Sequence, residues 1–365
     1  MDKEEHVIEK RTGITRLTAG IAVLSLALAA CSSAGGSSPS ASAAASAAPT
    51  TAPSAAGSTA PSTAPSTAVA AATCKGAGDK GNVKMMINQW VGAAANVAVV
   101  QCLLQQMGYK VTTQTLGEEV AWQGFDTGQV DVILENWGHP DLEKTYITTK
   151  KVAQVAGLNG VTGLIHWYIP PWLATAYPDI TDWNNLNKYA DKFKTTESGD
   201  LGQFLDSDPT FVQEDRAIIK NLTLNFKVVD SGSEDASIAA YKQAEAQKSW
   251  LIGYFYDPQW LLAELPLVQV KLPPYTAECY GDYSAAARAK IACDYPDYAL
   301  NKIVATKFAE SSGAAYTLVK NFTWKNADQN AVAHSITADK MTPEDAAKKW
   351  LDANPTVWQA WMPAS

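Results

Sequence analysis

The chain is poor in the residues that metal and nucleophile chemistry use. It holds four His in 365 residues, of which His139, His166 and His334 lie beyond the amino-terminal segment, and it contains neither an H-E-x-x-H nor a G-x-S-x-G pattern. Zinc-hydrolase and serine-hydrolase chemistry therefore lack their usual signatures. The five Cys form no C-x-x-C pair, so no metal site is expected. There is no basic run, and the net charge is −8. That balance argues against nucleic acid and against a polybasic membrane contact.

Long apolar runs are also scarce. The one at the amino terminus, Leu17 to Leu28, follows Arg11 and Arg16 and is too short to span a membrane comfortably. Residues 1–30 read as an export signal, although Asp2, Glu4, Glu5 and Glu9 make its start unusually acidic. The run closes on Leu28-Ala29-Ala30-Cys31, which resembles the lipobox of bacterial lipoproteins. That resemblance implies cleavage before Cys31, lipidation of its thiol and a place on the extracytoplasmic face of the cell membrane. Residues 31–73 are almost wholly Ser, Ala, Thr, Pro and Gly after the Cys. Such a stretch cannot bury enough apolar surface to offset its ordering entropy, so a disordered tether is expected, with a span of about 35 Å.

Residues 74–365 are long enough for two lobes and hold all 12 Trp. Setting Cys31 aside leaves Cys74, Cys102, Cys279 and Cys293, an even number that suggests two disulfides in an exported chain. Three pairings are possible, and Cys74 with Cys102 plus Cys279 with Cys293 is the most local. Gly76-x-Gly78-x-x-Gly81 matches a dinucleotide pattern but precedes the first strand, so it reads as a lead-in.

Strands over Val83–Asn88, Tyr109–Thr115 and Val130–Leu134 alternate with helices over Ala93–Met107 and Glu118–Thr127. This is a βαβαβ-like opening that argues for a mostly parallel sheet between helices. A strand over Gly163–Ile169 precedes a crossing into a second lobe. There a loop-like stretch at Gly199–Glu214 is followed by a helix near Val212–Leu222, a strand at Lys227–Asp230, a helix at Glu234–Gln247 and strands at Trp250–Asp257 and Leu267–Leu272. The last ninety residues read as mostly helical, with Thr342-Pro343-Glu344-Asp345 a helix start. Trp350, Trp358 and Trp361 read as packing anchors.

Three strands run into aromatic residues at turns: Asn88-Gln89-Trp90, Glu135-Asn136-Trp137 and Tyr254-Phe255-Tyr256-Asp257. Loops at the carboxyl ends of strands line the crevice of an open α/β sheet, so these rings are expected in one cleft. Aromatic faces attract a cation that has no N–H to donate, at about 0.5–2 kcal/mol per desolvated face. Three or four faces suit a micromolar ligand, about −8 kcal/mol.

Those motifs, with His166-Trp167-Tyr168-Ile169-Pro170, Tyr254-x-Tyr256-x-Pro258-x-Trp260 and the closing Trp350-Leu351-x-x-Asn354-Pro355-x-x-Trp358-x-x-Trp361, resemble the glycine betaine, choline and proline-betaine binding proteins of ABC importers. The similarity runs in order over nearly all of residues 82–362. It implies a two-lobed, periplasmic-binding-protein-like fold of type II, each lobe a mostly parallel sheet flanked by helices, with the ligand cleft between. Lobe 1 is expected over 74–169 and 268–365, and lobe 2 over 170–267. The family's aromatic cage carries over to Trp90, Trp137 and Tyr256, the last standing where some relatives have Trp, with Phe211 and Trp167 as further walls. An ABC permease and its ATPase are the implied partners of a monomeric binding protein without cofactor.

From the residues themselves, a zwitterionic betaine needs donors, which Asn88, Gln89, Asn136, His166 and Gln259 stand near enough in sequence to supply. Choline has a hydroxyl and no negative end, so Glu135 or Asp257 beside its ammonium would help it. Betaine and choline both remain open. Two further readings stand beside a binding module. One is a carbohydrate-binding surface lipoprotein using Trp platforms; the other is an exported hydrolase using Glu118 with Glu119, or Glu135 with Asp141.

Overall fold

The structure, a computed structural model, describes residues 71–364. The export signal, Cys31 and the tether up to residue 70 lie outside them. Alternating apolar and polar runs lay down β1 (Asn82–Ile87), α1 (Val91–Gln106), β2 (Lys110–Thr115), α2 (Glu118–Thr127) and β3 (Val132–Asn136). Helix α1 is apolar around nearly its whole circumference, which fits a helix buried on all sides. It stops where Gly108 takes φ +95°, a conformation that costs a Cβ-free residue nothing. Cys74 is bonded to Cys102 of α1, and Cys279 to Cys293.

A 17-residue strand, β4 (Ala153–Ile169), follows. The chain then builds β5 (Gly202–Asp206), α3 (Asp215–Asn221), β6 (Phe226–Asp230), α4 (Glu234–Gln247), β7 (Gly253–Asp257) and β8 (Val268–Val270). It returns through β9 (Tyr298–Ala305) and ends on helices that include α5 (Asn326–Thr337) and α6 (Pro343–Ala353), which pack on α1. Trp324, Trp350, Trp358 and Trp361 are buried among these last elements, with Trp350 stacked on Trp361 at 5.9 Å.

The strand order is β2-β1-β3-β9-β4-β7-β5-β6, with β8 beside β4. Strand β4 joins two halves. Its residues 153–163 pair with β9, and its residues 164–169 with β7 and β8. Parallel pairs occupy the outer parts, β1 with β2 and β3, and β5 with β6 and β7. The pairs made by β4 and β9 are antiparallel, because these two strands carry the chain from one half to the other and back.

Three expectations are corrected here. Gly202–Asp206 is a strand inside the stretch read as loop; it is only five residues long and sits among Gly, Asp and Pro, so turn signals outweighed the buried Phe204-Leu205 pair. Tyr298–Ala305 is a strand within the segment read as helical. The crossing back to the first half also comes later than residue 268, because β8 pairs with the end of β4 in the second half.

Candidate functional site

Four rings converge where the two halves meet. Trp90 caps the start of α1 directly after β1, and Trp137 follows β3; both belong to the first half. Tyr256 stands on β7, and Phe211 in the loop after β5; both belong to the second. Around the ring of four, centroids lie 6.3 Å (Trp90–Trp137), 5.6 Å (Trp137–Tyr256), 6.2 Å (Tyr256–Phe211) and 5.2 Å (Phe211–Trp90) apart. Each neighbouring pair is crossed at 84–88°. Adjacent walls of a square box meet at right angles, so this is a four-walled box, and a charge at its centre would lie about 4 Å from each centroid, inside the range of cation–π attraction.

The four rings line one cavity with Glu118, Ile165, Val212 and Tyr254. Its free space is about 10 Å³, room for one water-sized sphere. Through Glu118, Phe211 and Val212 the box adjoins an open cleft of about 620 Å³ that also carries His139, Glu214 and Arg288.

Several contacts fix the walls. The indole N–H of Trp137 donates to Glu135 Oε1 at 2.9 Å, and Asn96 Nδ2 of α1 donates to Glu135 Oε2 at 2.8 Å. Burial pushes the Glu135 carboxyl up to about 7, against the pull of donors on Trp137, Trp90 and Gln329. The Trp90 indole N–H is close enough to act on Glu135 but has no hydrogen-bond partner of its own. Gly163 of β4 lies flat against Trp137, where a Cβ would meet the ring at 2.5 Å.

Glu118, 3% exposed, is the carboxylate on the cavity wall, and no Lys or Arg lines the box. Its Oε2 lies 2.9 Å from His139 Nε2, yet neither atom is aligned for a regular hydrogen bond. Burial works against a charged His139, but Glu118, with help from Asp141, holds the imidazole above its usual pKa.

The structure brings Trp90, Trp137, Tyr256 and Phe211 together and places the other expected ligand residues elsewhere. Trp167 packs on Phe204 at 4.5 Å and donates to Asp215, inside the second half. Glu135 stands behind Trp137 as its support. Asn136 points to the opposite face of β3, bonding Glu143 at 2.8 Å and Asn301 at 2.9 Å. His166 faces Asp294 at 3.3 Å, and Asp257 accepts from Asn326 at 2.9 Å. Successive side chains along a strand take opposite faces, which is what separates Asn136 from Trp137 and Asp257 from Tyr256. The same two-residue period would have flagged Tyr254 as a cavity residue. Glu118, three chain positions beyond β2, carries no such signal.

Two sheet halves joined by crossing strands, each supplying half of a small aromatic-lined site, define the class of clamshell substrate-binding proteins. Within it, the chain belongs to the family described as substrate binding domain of ABC-type glycine betaine transport system, which matches residues 81–353. It is therefore a substrate-binding protein of an ABC-type transport system. The trimethylamine N-oxide-binding protein of Pelagibacter ubique (strain HTCC1062) is 26% identical over 297 residues, covering 79% of this chain and 93% of that protein. The fold is similar to lactococcal OpuAC in its closed form with glycine betaine, with TM-score 0.60, 20% identity and coverage of 77% of this chain and 99% of that one. It is likewise similar to an ABC-transporter choline binding protein in complex with choline, with TM-score 0.60, 19% identity and coverage of 77% and 91%. No described helix is long and apolar enough to cross a membrane.

Proposed function

We propose that this protein seats the methylated head of a quaternary ammonium ligand in the Trp90–Trp137–Tyr256–Phe211 box. It then hands the ligand to an ABC permease and its ATPase while held outside the cell membrane by a lipid on Cys31. The observation that carries the reading is the set of four rings crossed at right angles around one centre. A box closed on four sides suits a tetrahedral head and offers no open platform for a flat sugar face.

Within this class, the polar lining favours choline over glycine betaine. A betaine carboxylate leaving the box meets Glu118 first, with no Lys or Arg on the cavity wall; His139 and Arg288 line only the adjoining cleft. Choline's hydroxyl instead finds an acceptor in the Glu118 carboxylate, whose Oε2 faces His139 at 2.9 Å without an aligned hydrogen bond. A hydrogen bond to a charged acceptor contributes about 1.5–3 kcal/mol, so choline should bind roughly tenfold or more tighter than ethyltrimethylammonium, which has the same head and no hydroxyl.

Titration calorimetry with choline, ethyltrimethylammonium, glycine betaine and trimethylamine N-oxide tests this. Glu118→Gln should narrow the gap between the first two. A preference for glycine betaine in the native protein would overturn the choice of ligand, and thermal stabilisation by sugars alone would overturn the class.

A further inference from the structure

Trp90 and Tyr256 are opposite walls of the box and come from different halves, and one carboxylate accepts both from the Tyr256 hydroxyl and from the backbone amide of Val91, the residue after Trp90. Glu234 opens α4, just after Ser233, whose hydroxyl caps that helix by accepting from Ala236 N–H. Glu234 Oε1 accepts from the Tyr256 hydroxyl and, at 3.0 Å, from Gln259 Nε2, while Oε2 accepts from Val91 N–H at 2.8 Å. Val91 is the first residue of α1, and Trp90, its capping residue, gives no side-chain cap. The first N–H groups of a helix have no partner inside it. Here a carboxylate from the other half supplies one, at a point where the positive ends of α1 and α4 both favour negative charge. Glu234 is 6% exposed and, with Trp90, lines a second cleft of about 580 Å³.

Resting on the function given above, we propose that Glu234 is a positioning residue that couples the Tyr256 wall of the box to closure of the two halves. The latch is complete only when the Tyr256 hydroxyl and the Val91 amide reach the same carboxylate. Parting the halves breaks the Val91 bond and uncaps α1, and it moves Trp90 away from the ring opposite. A ligand that draws Tyr256 and Trp90 onto its head therefore also sets the latch. Tyr at position 256 matters for its hydroxyl as well as its face: Phe would keep the π surface and lose the tie.

Hydrogen exchange at the Val91 amide reads the latch directly, with or without ligand. Amides held by a closed element exchange slowly, and Tyr256→Phe or Glu234→Gln should speed exchange at Val91 by about tenfold or more in the ligand-free protein. Gln offers one acceptor oxygen where Glu234 serves donors on both sides. Both variants should raise the choline dissociation rate by about tenfold, since changes at one site act mainly on dissociation. Thr210→Ala removes the exposed cross-half bond from Thr210 Oγ1 to Gln89 Oε1 and should leave Val91 exchange unchanged. Tyr256→Phe is the milder change should Glu234→Gln fail to fold. Val91 exchange and choline dissociation unchanged in Tyr256→Phe would overturn the latch. Should the native protein bind no quaternary ammonium, the functional reading falls, and Val91 exchange still decides the latch.

Discussion

Glu135 shows how one buried group ties binding to pH. Its folded-state pKa of about 7 stands above the ordinary 4.5, so between those values the folded protein holds the extra proton. Its contribution to stability is therefore greatest at acid pH and is lost as pH rises through 7. A cation seated against Trp137 and Trp90 favours the ionised carboxylate and pulls that pKa down. Ligand binding near pH 7 should release a fraction of a proton, and affinity should rise with pH across that range. Calorimetry in two buffers of different ionisation enthalpy measures the release, which Glu135→Gln should abolish; proton uptake on binding would contradict this linkage. At this scale the sequence disclosed the rings and not their supports. Trp90, Trp137 and Tyr256 sit directly at strand ends, where position alone points to the cleft. Glu234 sits at a helix start, where an acid needs no explanation beyond capping, and its partner Val91 is 143 positions away.

At the scale of elements, β4 both joins the halves and shapes a wall. Gly163 sits where the strand passes from pairing β9 to pairing β7, and Trp137 fills the space a side chain would take. The indole cannot simply turn away, because its N–H is held by Glu135. Gly163→Ala should therefore tilt this wall, weakening choline binding by about 1–3 kcal/mol through overpacking while the sheet register persists. Binding constants and a circular dichroism melt check this; native affinity would show that Trp137 can move freely. Helix α1 and the parallel strands β1 and β3 were legible, because they are nearly continuous apolar runs bounded by turn residues, whereas the parallel strand β5 was read as loop. Strand β9 was hidden: its interior holds Asn301 and Lys302, and its register against β3 shifts, so no clean alternation marks it.

For the whole molecule, the essential feature is that each half contributes two of the four walls. Neither half alone has a complete box, so under the proposed function capture and closure would be the same event, as expected where a ligand binds the closed arrangement better than the open one. The two-lobed plan was legible from the alternation of elements and the family motifs. The place where the chain crosses back was not, because a three-residue strand such as β8 pairs wherever β4 offers an edge.

The central claim is that the box binds positive charge and not merely a compact apolar head. Choline and 3,3-dimethylbutan-1-ol have the same shape and differ in carrying nitrogen or neutral carbon at the branched centre. Competition between them, followed by titration calorimetry, isolates the attraction of the four ring faces for a cation, which summed over the walls should favour choline by about a hundredfold or more. Choline bound at micromolar concentration with the alcohol a hundredfold weaker or worse is the expected result; equal competition by the alcohol would contradict it.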